Sequence, residues 1–576
     1  MKKNIVKREV ADIAGFALDM PSVLRRIYAS RGIKEQGELD YSLKKLTPFH
    51  SLLGIDAAVD LLVEALVEHQ KIVVVADFDV DGATSCVVFI KTLRALGASV
   101  DYLVPNRFEY GYGLTPEIVE VALIEKKPNL IVTVDNGIAS IEGVAVARKN
   151  GVKVLITDHH LPGKVLPDAD AIVNPNQHGD QFPSKNLAGV GVVFYVMLAL
   201  RARLREMNWF NTSGIADINM AQVLDLVALG TVADVVPLDH INRILVAQGL
   251  ARIRSGKACV GIKALIDVAE RTADTMVSSD MGFALGPRLN AAGRLDDMSL
   301  GIECLLTDEP KIARARAQDL NQLNQDRRLI EAGMKEQAIT HIAAWEKDQN
   351  VDELPSGLCL YEEDWHQGVL GIVASRIKDI VHRPVIAFAP ADGNTLKGSA
   401  RSISGVHIRD VLETIATNEP QLLSKFGGHA MAAGLTIQKD DLTQFKLLFD
   451  QEVSRQAAAD SFINVIYSDG ELEAQDIGMK LAEQLRNEGP WGQGFPEPVF
   501  DGRFQIAGTR VVGGKHLKLQ LKQEGAEKLV EAIAFNQELD AELQASGVAH
   551  FVYRLDVNEF RGRKTTQLIV QHIVAC

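Results

Sequence analysis

Cysteine is scarce in this chain and nowhere paired. Cys86, Cys259, Cys304, Cys359 and Cys576 are scattered over 576 residues, and no two form a Cys-x-x-Cys unit. That argues against a zinc ribbon or a disulfide framework and fits a reducing cytoplasm. Long apolar runs are missing too: nothing approaches the roughly 18 residues of a membrane span. The first residues, Met-Lys-Lys and onward, lack the apolar stretch of a secretory signal. Low-complexity segments and short internal repeats are absent. Positive charge is in deficit, with a net charge of −14. This counts mildly against nucleic-acid binding, which favours a basic footprint. In a multidomain chain, however, basic residues can cluster locally and acidic ones can ligate metal. The rest is ordinary for a globular protein, with 47% hydrophobic and 24% charged residues. The length suits about three or four domains.

Residues 1–56 read as a mixed, partly helical extension ending in a loop around Pro48. From 57 to 305 short β-branched runs (71–77, 101–105, 130–135, 153–158, 171–174) alternate with helical segments. Buried strands alternating with helices predict a doubly wound, parallel α/β sheet. Residues 306–350 are polar with a single glycine and read as a long connecting helix. A coiled coil fits less well because the apolar repeat is broken. A second α/β domain is expected over 351–460. Short alternating segments over 461–576 suggest a small β-barrel resembling an OB-fold.

The first strand runs into Asp77-Phe78-Asp79-Val80-Asp81-Gly82. In an extended chain, alternate residues share a face, so Asp77, Asp79 and Asp81 would converge at the carboxyl end of the sheet. Close carboxylates repel and call for hard divalent cations. Taken alone, the segment is equally well a turn. An EF-hand reading fails, since its twelfth position is Val88 and a strand precedes it. The segment is not alone. Later strands end in Asp135-Asn136-Gly137 and in Asp158-His159-His160, and an apolar helical run leads into Asp234. Carboxylates and imidazoles opening onto one sheet edge form an oxygen and nitrogen donor set suited to Mn²⁺ or Mg²⁺.

Asp-His-His after a strand, with DxDxDG and DNG upstream, resembles the DHH phosphoesterases. Pro105-Asn106-Arg107, Gly111-Tyr112-Gly113-Leu114, the run from Gly286 to Arg294, Trp365-His366-Gln367-Gly368-Val369 and the run from Gly427 to Gly434 are similar to the bacterial RecJ exonuclease family. The last run looks like the signature of a DHHA1 domain. The resemblance spans nearly the whole chain. It implies that Asp79, Asp81, Asp135, His159 and Asp234 hold two divalent metal ions, Mn²⁺ or Mg²⁺. Asp158 would orient the histidines and His160 would face the scissile phosphate. Asp77 is either a ligand or a partner of one. Ser399, Arg401 and His429 would contact the terminal nucleotide or its 5′-phosphate. The implied reaction is 5′-to-3′ exonucleolytic release of 5′-mononucleotides from single-stranded DNA during repair and recombination.

Beside such a centre, Gly427 and Gly428 are expected to let backbone amides approach a phosphate; in isolation they would be turn and packing residues. Arg288, Asn290 and Arg294, in what reads as a glycine-rich loop, are expected along the DNA path, although a structural arginine–carboxylate pair is the bland alternative. The last domain carries Arg503, Arg510, Lys515, His516, Lys518, Lys522, Arg554, Arg561, Arg563 and Lys564, with Phe504, Phe535, Tyr553 and Phe560 interleaved. Backbone electrostatics with base stacking is how such folds hold single strands; a solvated face over core aromatics is the plainer reading. Other DHH hydrolases acting on small diesters would share the metal set but need no extra barrel. A scaffold relative would have lost it. The family implies single-stranded-DNA-binding protein and a helicase as partners, no membrane, and a cytoplasmic monomer.

Overall fold

The computed structural model describes residues 3–106, 110–348, 354–423, 425–537, 547–560 and 562–575. The chain divides into two compact units, one of Lys7–Asn321 with Tyr467–Cys576, the other of Met1–Val6 with Gln322–Ile466.

In the first unit, β1 (Lys71–Ala76), β2 (Ser99–Leu103), β3 (Leu130–Val134), β4 (Lys153–Thr157) and β5 (Ala171–Val173) form one sheet. All neighbours are parallel, in the order β2-β1-β3-β4-β5. β1, β3 and β4 are valine- and isoleucine-rich and almost wholly buried, as strands covered on both faces must be. Strand order reverses between β1 and β3. The crevice beyond the carboxyl ends at such a reversal is where open α/β sheets bind ligands. Three helices crowd this edge: α1 (Val80–Ala95), α2 (Gly189–Glu206) and α3 (Leu224–Ala233), with α1 packed against both others.

Residues 286–295, expected as a glycine-rich loop, instead form a helix, α4 (Gly286–Leu295). Pro287 sits in its first turn, where the missing N–H costs nothing. Gly293 serves close packing: a Cβ there would lie 1.8 Å from the Phe78 carbonyl oxygen. α5 (Pro310–Asp348) is one 39-residue helix that runs from the first unit into the second. Its buried stripe is apolar at Ala313, Ala317 and Leu320 and again at Met334, Ala338 and Ile342, with buried Asn324 and Arg327 between. That polar interruption is why the heptad pattern is broken.

The second unit holds β6 (Leu358–Tyr361), β7 (Val385–Pro390), β8 (Thr395–Arg401), β9 (Lys425–Gly428) and β10 (Ala432–Gln438), ordered β9-β10-β8-β7-β6. Only β6 and β7 pair in parallel. Helix α6 (Leu370–Val381) packs on β7 and β8, and Phe388, Phe445 and Phe449 fill the core.

The C-terminal part of the first unit is a closed five-stranded barrel of β11 (Phe500–Val512), β12 (His516–Gln523), β13 (Val530–Ala534), β14 (Val548–Phe560) and β15 (Arg563–Ala575), ordered β11-β12-β13-β15-β14. The N-terminal extension binds the segment leading into it. Arg31 grips Asp469 through two hydrogen bonds of 2.6 and 3.0 Å, both side chains being 1% exposed. Tyr28, Trp491 and Phe495 stack beside this pair. Among the described residues no helix is long and apolar enough to cross a membrane.

Candidate metal centre

The first acidic segment is not the extended strand that its alternation suggests. β1 stops at Ala76 and the chain turns at once into α1, so Asp77, Asp79 and Asp81 meet through a strand-to-helix turn. Asp79 is the N-cap of α1, its Oδ1 accepting the Gly82 N–H at 3.0 Å. Gly82 is required for the turn, because a Cβ there would lie 2.4 Å from the Asp77 carbonyl oxygen. Asp81 falls in the first helical turn and is fully buried. Its two oxygens accept the first N–H groups of α2, from Gly189 at 2.6 Å and Val190 at 2.8 Å. The positive end of a helix is a natural seat for a carboxylate.

Asp135 follows β3 in the left-handed region, φ 62°, a strained conformation for a residue with a Cβ. Asn136 locks the turn by donating to the carbonyls of Val75 and Val134 at 3.1 and 3.0 Å. Asp158 ends β4 and is spent on orientation. Its Oδ1 accepts the His159 N–H at 2.7 Å, the His160 N–H at 3.1 Å and the His160 ring Nδ1–H at 2.7 Å, while Oδ2 accepts the Ile138 N–H at 2.9 Å. Asn174 and Asn176 hold the carbonyls of His160 and His159 at 2.9 and 2.6 Å. Asp234 terminates α3, and the next residue, Val235, is itself left-handed at φ 64°.

These elements bring His159 Nε2 to 3.1 Å from Asp135 Oδ1, 3.5 Å from Asp234 Oδ2 and 3.9 Å from Asp81 Oδ2. Asp135 Oδ1, Asp234 Oδ2 and His159 Nε2 are all buried without a hydrogen-bond partner among the described residues. Three overlapping groups have ligand atoms within 4.8 Å of one another: Asp81, His159 and Asp234; Asp77, Asp79 and Asp135; and Asp135, His159 and His160. Burial raises the pKa values of Asp81, Asp135 and Asp234, and their neighbours' charges raise them further. Burial lowers that of His159. Repelling carboxylates around an imidazole that favours its neutral form lack one thing, a cation. The donors are oxygen and nitrogen only, which fits Mn²⁺ or Mg²⁺. His160 is different. Burial pulls its pKa down, but the Asp158 hydrogen bond and charge outweigh this and carry it up to about 9.

Several residues here carried no role in the sequence. Gly189 and Val190 cradle Asp81, and a Cβ on Gly189 would lie 2.6 Å from Asp135 Cβ. The only local signal was a Gly-Val-Gly opening an apolar helix. Tyr112 donates its hydroxyl to the Asp135 carbonyl at 3.3 Å, 3.4 Å from His160 Nδ1. Of the residues expected along the DNA path, Asn290 accepts the Val80 N–H at 3.2 Å and so steadies the start of α1. Arg288 is held by Asn321 Oδ1 at 2.9 Å and the Ala284 carbonyl at 2.6 Å, while Arg294 is half-buried near the end of α4. Arg107 lies outside the described residues.

In the second unit Ser399 and Arg401 share a face of β8. The register sets Ser399, Gly434 and Gly427 in one row, with Ala400, Ala433 and Gly428 in the next. Nothing lies within 4 Å of where a Cβ on Gly427 or Gly434 would be, which leaves a shelf beside Ser399. Arg401 Nη1 bonds Ser399 Oγ at 3.2 Å and the Ala400 carbonyl at 2.8 Å. No carboxylate among the described residues lies within ion-pair distance, and burial lowers its pKa. His429 occupies the turn between β9 and β10.

On the barrel, Arg503, Arg510, Lys515, Lys522, Arg563 and Lys564 are exposed, His516 is half-buried, Lys518 pairs with Glu531 at 3.0 Å and Arg554 pairs with Glu497. Phe504 and Tyr553 are core residues; Phe535 is half-exposed against His516. Arg561 and the Phe560 side chain lie outside the described residues.

A strand-end carboxylate–histidine cluster at the reversal point of a parallel sheet is the setting of a metal-dependent hydrolase. Residues 71–231 match the model of the DHH family N-terminal domain, 355–455 that of the DHHA1 domain and 468–572 that of the RecJ OB domain. The chain is 53% identical over 559 residues to the single-stranded-DNA-specific exonuclease RecJ of Dickeya dadantii, covering 96% of each chain. It is 52% identical over 579 residues to that of Escherichia coli, covering 100% of each. Among solved structures, RecJ of Thermus thermophilus in complex with Mn²⁺ superposes with a TM-score of 0.81 at 29% identity, over 99% of this chain and 79% of that one. The Mg²⁺ complex gives a TM-score of 0.75 at 27% identity, over 100% and 78%. The chain belongs to the RecJ family of single-stranded-DNA-specific exonucleases, and is a metal-dependent nuclease.

Proposed function

We propose that the chain degrades single-stranded DNA from its 5′ end, releasing 5′-mononucleotides, with two divalent ions, Mn²⁺ or Mg²⁺, at the strand-end cluster. The observation that carries this is the convergence of Asp135, His159 and Asp234 on one point, with no partner among the described residues for the converging atoms. Asp81, His159 and Asp234 would hold one ion and Asp79 and Asp135, with Asp77, the other, as the two groups suggest. When bound, such a pair activates water and neutralises charge on the attacking and leaving oxygens. The chain's own contribution is positional. Asp158 holds the proton on His160 Nδ1 and so orients the ring, whose other nitrogen, when protonated, would donate to a non-bridging phosphoryl oxygen. In the second unit, the half-buried Arg401 guanidinium has no counter-ion among the described residues and grips the terminal phosphate with Ser399 and His429, over the shelf that Gly427 and Gly434 leave open; Gly428 is packed against Ala432 and Ala433. Arg288 and Arg294 flank the strand, and Asn290 supports the metal turn. The exposed basic residues of the barrel track the remaining backbone.

The enzyme in this reading acts as a cytoplasmic monomer in DNA repair and recombination, with single-stranded-DNA-binding protein and a helicase as partners. The test is an oligonucleotide labelled at either end, single-stranded or annealed, incubated with Mn²⁺ or Mg²⁺. Immediate release of labelled mononucleotide from the 5′ end of the single strand, abolished by EDTA and by Asp81→Ala, supports it. Release first from the 3′ end overturns the polarity. An intact polymer alongside hydrolysed dinucleotides overturns the substrate assignment.

A further inference from the structure

At the end of α3, lined by Val232, Ala233 and Val235 on either side of Asp234, lies a cavity of about 650 Å³. Its walls come from α3 and the turn after it (Val232, Val235), from Leu250, from the segment before α4 (Phe283), from the approach to the barrel (Trp491) and from barrel strand β14 (Arg554). All belong to one compact unit. Two features set it apart from an ordinary packing void. Phe283 is 81% exposed and Val235 is 62% exposed, from two different elements. Single exposed apolar residues need no explanation, but these two line the same cavity. Val235, moreover, is β-branched and left-handed, a conformation maintained only where the surroundings enforce it. The second feature is charge. Of the acids lining the wall, Asp280 pairs with Arg271 at 3.0 Å, Glu497 pairs with Arg554, and Asp556 accepts the Val557 N–H at 2.7 Å. Arg254 and Arg486 also line it, and neither has a carboxylate within ion-pair distance among the described residues.

We propose that this cavity is a nucleobase-binding site for the single strand, in which Phe283 stacks on an unpaired base while Arg254 and Arg486 face the adjoining phosphates. Continuity selects the occupant. Val235 directly follows the proposed ligand Asp234 at one end, and at the other the wall is a strand of the barrel. A strand held at the metal centre and on the barrel has this cavity between. Stacking on an aromatic face tolerates any sequence but requires an unstacked base. A duplex cannot present one without opening, so Phe283 is a determinant of single-strand specificity. The inference rests on the single-strand reading above.

The test uses the full-length protein and oligonucleotides carrying 2-aminopurine at successive positions, with binding read by fluorescence in an Asp81→Ala background and cleavage read separately in active protein. The expected result is a change in fluorescence at one or two adjacent positions that Phe283→Ala removes. In active protein, Phe283→Ala is expected to raise KM for single strands roughly ten-fold, with kcat and thermal stability unchanged. An abasic residue at the responsive position should impose the same rise on wild-type protein and none further on the variant. Unaltered fluorescence and KM in Phe283→Ala would overturn the proposal and assign the cavity to another occupant, such as a partner protein. An equal added penalty on abasic and normal strands would overturn it as well. Because binding is read without cleavage, a failed exonuclease reading leaves this test intact.

Discussion

Gly189→Ala is a single methyl group placed at the centre of the site. The added Cβ would lie 2.6 Å from Asp135 Cβ and 2.7 Å from its Oδ1. Carbon atoms settle at about 3.5–4.0 Å, so the first turn of α2 and the Asp135 turn must part by about 1 Å. Neither side yields easily. Gly189 N–H is bonded to Asp81 at 2.6 Å, and Asp135 sits on a strained turn pinned by Asn136. A 1 Å misplacement of reacting groups can cost on the order of 100-fold in rate. We therefore expect Gly189→Ala to lower the rate of nucleotide release from single-stranded DNA at saturating Mn²⁺ about 100-fold, with the circular dichroism spectrum retained. The control is Gly333→Ala, in mid-α5, where a Cβ meets nothing within 4 Å. That substitution removes a helix-interior glycine and should leave activity unchanged, with stability equal or higher by about 0.5–1 kcal/mol. A folded Gly189→Ala protein within about three-fold of wild-type turnover would refute the claim that the α2 terminus sets the spacing of Asp81 and Asp135.

Asp234→Asn is expected to separate metal binding from folding. The carboxylate's pKa is raised by burial and by Asp79, so removing its charge should leave metal-free protein as stable or more so. Wild-type protein at about 100 times the Kd of Mn²⁺ should gain about 2.7 kcal/mol, seen as a rise in melting temperature, and the variant should gain much less; an equal gain in both would exclude Asp234 as a ligand. Arg401→Lys keeps the charge but loses the planar fork, so it should not restore what Arg401→Ala loses. Both should raise KM for 5′-phosphorylated strands well above the wild-type value, with a smaller effect on 5′-hydroxyl strands; equal effects on the two would remove the terminal phosphate from the Arg401 site.

Much of this protein can be read locally. Asp135, Asp158, His159 and His160 stand directly after runs of β-branched residues, and a parallel sheet necessarily brings its strand ends to one edge. Asp234 at the end of an apolar helix was equally visible. Local pattern also misled, however. Alternation made residues 77–81 look extended, but the Asp79 cap and Gly82 start a helix there. Glycines made 286–294 look like a loop, but they let α4 lie against Phe78. What the sequence by itself determined is the set of secondary elements and the chemistry at their ends, because side-chain periodicity and capping act over a few residues. Only the tertiary structure decided that α2 amides seat Asp81, that Asn290 steadies α1, that the N-terminal extension clasps Asp469, and that a cavity runs from the end of α3 to the barrel. Those contacts join residues more than a hundred positions apart, and they arise from close packing between elements, which no local pattern of residues encodes.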